Sequence, residues 1–218
     1  MSKVVIIGTG KTSEIIYQYL KPTHDIIGFA DSNPSSFTEP RTRLPIFDIA
    51  DMKEYHWADS VLLFVAIASG KLNTIRQIKY EQLKKDGWKF LTYIHPRATV
   101  ASTVTIGENC IVMEENVIQD FVDIGNNNIF WSGNHIGHHT SIGHNNFISS
   151  HVVISGNCKI GDNNFFGVNS CIGDNVEIGN FNWFSPLTST TKNIGNDTLF
   201  RMPKSIISEI STKEYFKV

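Results

Sequence analysis

The side chains able to do chemistry are unevenly placed along these 218 residues. Five of the eight histidines, His135, His138, His139, His144 and His151, fall within a stretch of 17 residues. An imidazole titrates near neutrality, so it can take a proton, give one or bind a metal. Near the start, the turn Gly8-Thr9-Gly10 stands between a β-branched run and a helix pattern. Backbone N–H groups and a helix dipole at such a turn can hold a phosphate. Asp31 follows at the end of the next strand pattern, about 20 residues on, where a carboxylate can accept from a ribose or a base. The other reading of these residues is a tight turn with a helix-capping aspartate. The third glycine of a dinucleotide fingerprint would fall at position 13, which is Ser13. The three cysteines, Cys110, Cys158 and Cys171, are widely spaced and form no CxxC pair, which suits a reducing cytoplasm and not a disulfide scaffold.

The elements that must position these groups follow from periodicity. Lys3–Ile7 reads as a strand buried on both faces, Lys11–Leu20 as a helix and Asp25–Ala30 as a second strand. Val61–Ala68 reads as a strand closed by Ser69-Gly70, Leu72–Lys85 as a helix and Lys89–Tyr93 as a strand. This alternation predicts a Rossmann-like parallel α/β domain over residues 1–93. Its size suits a nucleotide-sugar better than a complete NAD site.

From Ile94 to Phe184 an aliphatic residue or Phe recurs every six positions, in 16 of 16 cases, and eight of them are followed by Gly. This is the hexapeptide pattern of a β-helix, with three hexapeptides per triangular coil. It predicts a parallel β-helix over residues 94–199. Columns 18 residues apart should stack about 4.8 Å from one another. Seventeen of the 19 asparagines lie between Asn109 and Asn196. Asn128, Asn146, Asn164 and Asn182 form one column, expected to bond as an amide ladder. Asn109, Asn127, Asn145 and Asn163 form a second, at corners that favour residues tolerating left-handed backbone. Cys110 and Cys158 fall in inward slots and read as core thiols.

The outward columns differ in chemistry. Ile111, Ile129, Phe147, Phe165 and Trp183 make an apolar ridge. Thr105, Asp123, Ser141, Lys159 and Glu177 belong in water. Thr99, Val117, His135, Val153, Cys171 and Ser189 are mixed and small. A monomer should not expose such a ridge, so it is expected to pack on the mixed face of a neighbouring subunit and close a homotrimer. Residues 200–218, with an amphipathic stretch over Ser205–Phe216, are expected to cap the open end of the stack.

Composition excludes several classes. A net charge of −2 leaves no basic surplus for nucleic acid. The longest apolar run, Val61–Ala68, is too short for a bilayer span, and Met1-Ser2-Lys3 leads into a strand pattern with no signal-peptide core. A cytoplasmic protein without membrane insertion is expected.

A G-x-G α/β unit joined through Ile94-His95-Pro96 to hexapeptide repeats resembles the nucleotide-sugar N-acetyltransferases: the bacillosamine, viosamine and perosamine enzymes and their sialic acid O-acetyltransferase relatives. The most specific stretch is Gly133–Asn175, a His-containing coil followed by an IGxN…GxNSxIG run. The resemblance implies a left-handed β-helix, a trimer, and acetyl-CoA in the groove between neighbouring prisms. It implies acetyl transfer to the 4-amino group of a 4-amino-4,6-dideoxy sugar on dTDP or UDP, in O-antigen and lipopolysaccharide biosynthesis, with no metal. The family's base falls on His138. The next position, often acidic in the family, is His139 here, and either Asp120, one coil below His138, or a carboxylate from the adjacent subunit is a candidate to orient it. Gly8, Thr9, Gly10, Lys11, Asp31, Ser32 and Ser69 match the nucleotide and diphosphate positions. Gly156, Val168 and Gly173 match pantetheine-lining positions. Phe147 stands where relatives carry a second histidine near the thioester. The C-terminal GxPA-like signature is replaced by Arg201-Met202-Pro203-Lys204.

Other readings compete. The same fold supports sugar O-acetyl transfer. His139 and His144, five apart, also resemble the zinc ligands of γ-class carbonic anhydrases, although the neighbouring coils offer Phe121, Asn157, Asn126 and Asp162 in place of a third histidine. A non-catalytic nucleotide-sugar binding scaffold is a third class. His144 and His151 read as solvent-facing corner residues, and His135 as a residue of the mixed face.

Overall fold

The computed structural model describes residues 2–34, 43–55, 57, 60–203 and 207–218. The β-branched run Lys3–Ile7 is β1, an inner strand of a four-stranded sheet. It pairs with β2 (Asp25–Asp31) and β4 (Val61–Val65), and β3 (Ile46–Asp48) pairs with β2, all in parallel. The order β3-β2-β1-β4 is that of the first four strands of a doubly wound sheet. Alternation sorts the buried side chains. Val4 and Ile6 pack with Ile16 and Leu20 of α1 (Lys11–Leu20); Val5 and Ile7 pack with Tyr80 and Leu83 of α2 (Thr74–Lys85). α2 starts two residues later than its apolar pattern predicts, because Lys71, Leu72 and Asn73 all hold positive φ, which a right-handed helix cannot absorb. The strand expected over Lys89–Tyr93 shrinks to one bridge between Phe90 and Leu63, since Tyr93 already belongs to the first coil of the second unit.

From Tyr93 the chain winds through two-residue strands that stack into three parallel sheets. The first face holds seven strands, from Tyr93–Ile94 to Leu199–Phe200. The second holds six, from Thr99–Val100 to Ser189–Thr190, and the third five, from Thr105–Ile106 to Glu177–Ile178. Partners lie one coil apart, as in Ile129 with Phe147 and His135 with Val153. The stack fits a left-handed parallel β-helix, and the periodic residues from Val112 to Phe184 are buried in a single core. Every fourth position from Asn109 to Leu187 turns its corner with φ between 54° and 76°. Asparagine and glycine tolerate that region, whereas bulky side chains resist it.

The two asparagine columns bond differently from expectation. In the corner column the amides bond to one another: Asn109 donates to Asn127 and Asn127 to Asn145, each at 2.7 Å. In the inward column they bond to backbone. Asn128, Asn146 and Asn164 each accept the N–H of the asparagine one coil above at 2.8 Å and donate to a glycine carbonyl. Asn164→Ala should therefore leave the buried Asn182 N–H and the half-buried Gly179 carbonyl without their partner. A loss of about 1–3 kcal/mol is expected, read by urea denaturation; an unchanged midpoint would show that water replaces the amide.

The apolar ridge is not open to a neighbouring subunit. Ile111, Ile129 and Phe147 are buried beneath the α/β unit of the same chain, in one core with Val4, Ile6, Leu20 and Phe64, and Phe165 packs against it. The column chemistry thus accounts for how the two units of one chain join, and the trimer argument built on it falls. Polar groups pin the joint at its edges. Tyr19 Oη donates to Glu114 at 2.6 Å and Tyr80 Oη to Glu108 at 2.5 Å. On the Tyr80 side lies Arg76, one helical turn away on α2 and fully buried. Its Nη2 donates to the carbonyls of Asn127, Asn145 and Asn146 at 3.1–3.3 Å, and its Nη1 to Asn73 Oδ1 at 3.3 Å. Among the described residues no carboxylate pairs with it. Burial pulls its pKa down to about 9, so it keeps its charge at neutral pH.

The expected cap does not form within the chain. Residues 207–218 are all exposed, including the helix Thr212–Phe216. Part of the amphipathic stretch, Ser205 and Ile206, lies outside the described residues, as does Lys204. The end of the core is covered instead by Phe200, stacked 4.6 Å from Phe184.

Candidate active site

Two groups of candidate residues are assembled, one in each unit. The first lies at the carboxyl edge of the sheet, where the ends of β1, β2 and β4 meet. Gly8 takes φ of +104°, and a side chain there would press on Ile67 at 3.3 Å. Thr9 Oγ1 donates to Asp31 Oδ2 at 2.6 Å, and the Asn33 N–H donates to Oδ1 at 3.3 Å, so Asp31 ties the turn to the end of β2. Gly10 is the N-cap of α1 and brings no side chain to it, which leaves the first helical N–H groups facing outward. Ser13 is buried and turns its hydroxyl back onto the Gly10 carbonyl at 2.6 Å. Lys11 is exposed in the first turn. Ser32 accepts a hydrogen bond from Lys79 Nζ at 2.9 Å. Ser69 stands past β4, its carbonyl accepting the Asn73 N–H. The edge therefore gathers outward-facing helical N–H groups, hydroxyls and two ammonium groups, a set that suits a diphosphate. Lys79 escaped the sequence reading because it lies on α2, remote from the turn, and is half-exposed there.

The second group sits at the corner between the second and third faces. Stacking puts Asp120, His138, Gly156 and Asp174 in one column there. His138 and His139 are exposed. The backbone N–H of His138 donates to Gln119 Oε1 at 3.0 Å. Its ring lies over Gly156, where a Cβ would meet Cε1 at 2.9 Å and Nε2 at 3.1 Å. Asp120 does not orient His138 in this chain: it accepts from Thr103 Oγ1 at 3.0 Å. The group beside His138 Nδ1 is instead His139 Nδ1, at 3.2 Å. Asp174 accepts the Gly156 N–H at 2.8 Å, and Gly173 precedes it.

Other candidates lie elsewhere. Phe147 is 8% exposed and belongs to the first face, stacked 5.3 Å from Phe165 beneath the α/β unit. The His138 corner, between the second and third faces, is opposite the first face, so Phe147 and His138 of one chain do not meet. Val168 is exposed at a different corner, between the first and second faces. His144 lies at the third corner, so the third face separates it from His139 and the two do not converge on a metal. Its Nδ1 accepts the Asn126 N–H at 2.9 Å. Among the described residues no group of three or more His, Cys, Asp or Glu could hold a metal ion. Cys110 and Cys158 are buried. Burial pushes the Cys110 thiol up to about 12 and raises that of Cys158, which leaves neither as a nucleophile. No helix among the described residues is long and apolar enough to cross a membrane.

No protein-family model and no curated protein matches the chain. Solved structures do. An asparagine-for-histidine variant of perosamine N-acetyltransferase from Caulobacter crescentus, in complex with CoA and GDP-perosamine, superposes with a TM-score of 0.81 at 23% identity, covering 91% of this chain and 93% of that one. The acetyltransferase domain of PglB from Neisseria gonorrhoeae, in complex with acetyl coenzyme A, gives 0.78 at 21% identity over 88% and 92%. WeeI from Acinetobacter baumannii gives 0.52 at 16% over 91% and 96%. The likeness runs along nearly the whole length of the chain and is one of fold.

Proposed function

We propose that the protein transfers the acetyl group of acetyl-CoA to the 4-amino group of a nucleotide-linked amino sugar. The observation that carries this reading is the full-length likeness, in both units, to an enzyme that holds CoA and GDP-perosamine. The α/β unit is Rossmann-like in this proposal, with Gly8, Thr9, Gly10, Lys11, Asp31, Ser32 and Ser69 around the nucleoside diphosphate. The exposed corner at His138, with backbone at Gly156 and Gly173, receives the thioester end of acetyl-CoA. His138 Nε2 takes a proton from the acceptor's ammonium. The freed amine forms a bond to the thioester carbonyl carbon, the C–S bond breaks, and the proton that the nitrogen loses on becoming an amide passes to the departing CoA thiolate, while His138 returns its own proton to solvent. No covalent enzyme intermediate is needed.

One chain does not bring the two groups together. The α/β unit covers the first face, and His138 occupies the corner opposite. The reading therefore includes a homotrimer in which the nucleotide edge of one subunit meets the His138 corner of its neighbour, with acetyl-CoA between prisms.

The test is to incubate the purified protein with acetyl-CoA and 4-amino sugars linked to GDP, UDP or dTDP, following free CoA thiol and the acetylated product. GDP is included because the structural neighbour holds GDP-perosamine. Release of one CoA per acetylated amine is expected. Faster turnover on the matching hydroxy-sugars would replace amide by ester formation, and tight nucleotide-sugar binding without turnover would make the protein a binding scaffold.

A further inference from the structure

The corner that carries His138 holds an exposed aromatic side chain. Phe121 is 54% exposed and takes φ of 62°, a conformation bulky residues resist. The same column continues with Asn157 and Asn175, the residue type that suits it. The Phe121 ring lies 4.8 Å from the His139 ring, tilted by 40°. The His139 ring in turn stands 5.3 Å from that of His138 at 85°, with the two Nδ1 atoms 3.2 Å apart. The carboxylates of this column are bonded elsewhere, Asp120 to Thr103 and Asp174 to the Gly156 N–H.

We infer that Phe121 is a positioning residue: its ring fixes the His139 imidazole so that His139 Nδ1 accepts the Nδ1–H of His138. The inference rests on the reading of His138 as the base. Of two facing Nδ1 atoms, one must donate and the other accept. Were His139 the donor, neutral His138 would carry its proton on Nε2 and have no lone pair there for the amine. With His138 as donor, Nε2 is free, and the imidazolium formed on proton uptake keeps its bond to the His139 lone pair. A neutral imidazole thus takes the place of an orienting carboxylate, and it works only while its ring plane is held. Phe121 holds that plane.

Phe121→Asn suits the left-handed corner and should fold. It is expected to lower kcat about tenfold or more, with both KM values unchanged and a melting temperature no lower than wild type. Phe121→Tyr should restore kcat. His139→Leu should lower kcat at least as far, and the double variant Phe121→Asn/His139→Leu should be no slower than His139→Leu alone. Wild-type kcat in Phe121→Asn, additive losses in the double variant, or a raised KM with kcat intact would each overturn the inference. His138→Asn, measured alongside, separates the two layers: an active His138→Asn enzyme overturns the base reading and this inference together, whereas an inactive one beside a fully active Phe121→Asn enzyme overturns the buttress alone.

Discussion

Replacing His138 by alanine is expected to lower kcat by about 10²–10⁴-fold, with the melting temperature and the KM for acetyl-CoA close to wild type. The side chain is exposed and lies outside the buried core, so its removal takes away proton uptake and little else. The split geometry adds a sharper form of the same experiment. Gly10 has no atom within 4 Å of where a Cβ would stand, so Gly10→Asp can be built in place, and its carboxylate would repel a diphosphate at the helix N-terminus. Each variant alone should be inactive. Mixed by unfolding and refolding together, they should regain a measurable share of wild-type turnover, because some sites then pair an intact nucleotide edge with an intact His138. No recovery in refolded mixtures of confirmed mixed composition would show that each chain works alone.

Arg76→Met should destabilise the protein by about 2–5 kcal/mol, seen as a lowered urea midpoint. Asn127 and Asn145 offer carbonyls to Arg76. Removing the guanidinium leaves both without a partner in a buried joint, which outweighs the relief of no longer burying an unpaired charge. Arg76→Lys should recover only part of the loss, since a single ammonium cannot span the Asn73 side chain and three carbonyls of the prism in the way a planar fork does. A midpoint for Arg76→Met equal to wild type would mean that water enters the joint and satisfies the carbonyls.

How far the sequence could be read differs between the two units. The six-residue period was legible because each inward residue repeats the same environment, and the observed core follows it from Val112 to Phe184. The edge strand Ile46–Asp48 was not legible: three half-buried residues carry no usable alternation. The helix start at Thr74 was missed because left-handed backbone at Lys71 and Leu72 has no signature in those residue types. The apolar ridge was read correctly as a surface that must be covered, but its occupant was misjudged, since a pattern shows that a surface must be buried without showing what buries it. At the site, the imidazole of His138 and the Gly8-Thr9-Gly10 turn were visible as chemistry. The His139 and Phe121 contacts were not, because they depend on stacking across coils at a corner. Arg76 looked like an ordinary helical cation, and nothing in its spacing announces that its charge ends among carbonyls.

The prism can also be regarded as a scale, graduated in steps of about 4.8 Å, one for each coil. Arg76 grips it at Asn127 and Asn145, the two ends of a single coil, and His138 lies within that same coil. The height of His138 relative to the α/β unit is therefore set by one turn of chain and is indifferent to how many coils follow. Adding a whole 18-residue coil beyond Asp174 would lengthen the scale without moving either mark, whereas a single-residue insertion between Asn127 and His138 would shift one mark against the other. Length changes in this architecture are thus divided into those the site cannot sense and those it cannot survive, with the boundary at the coil that Arg76 holds.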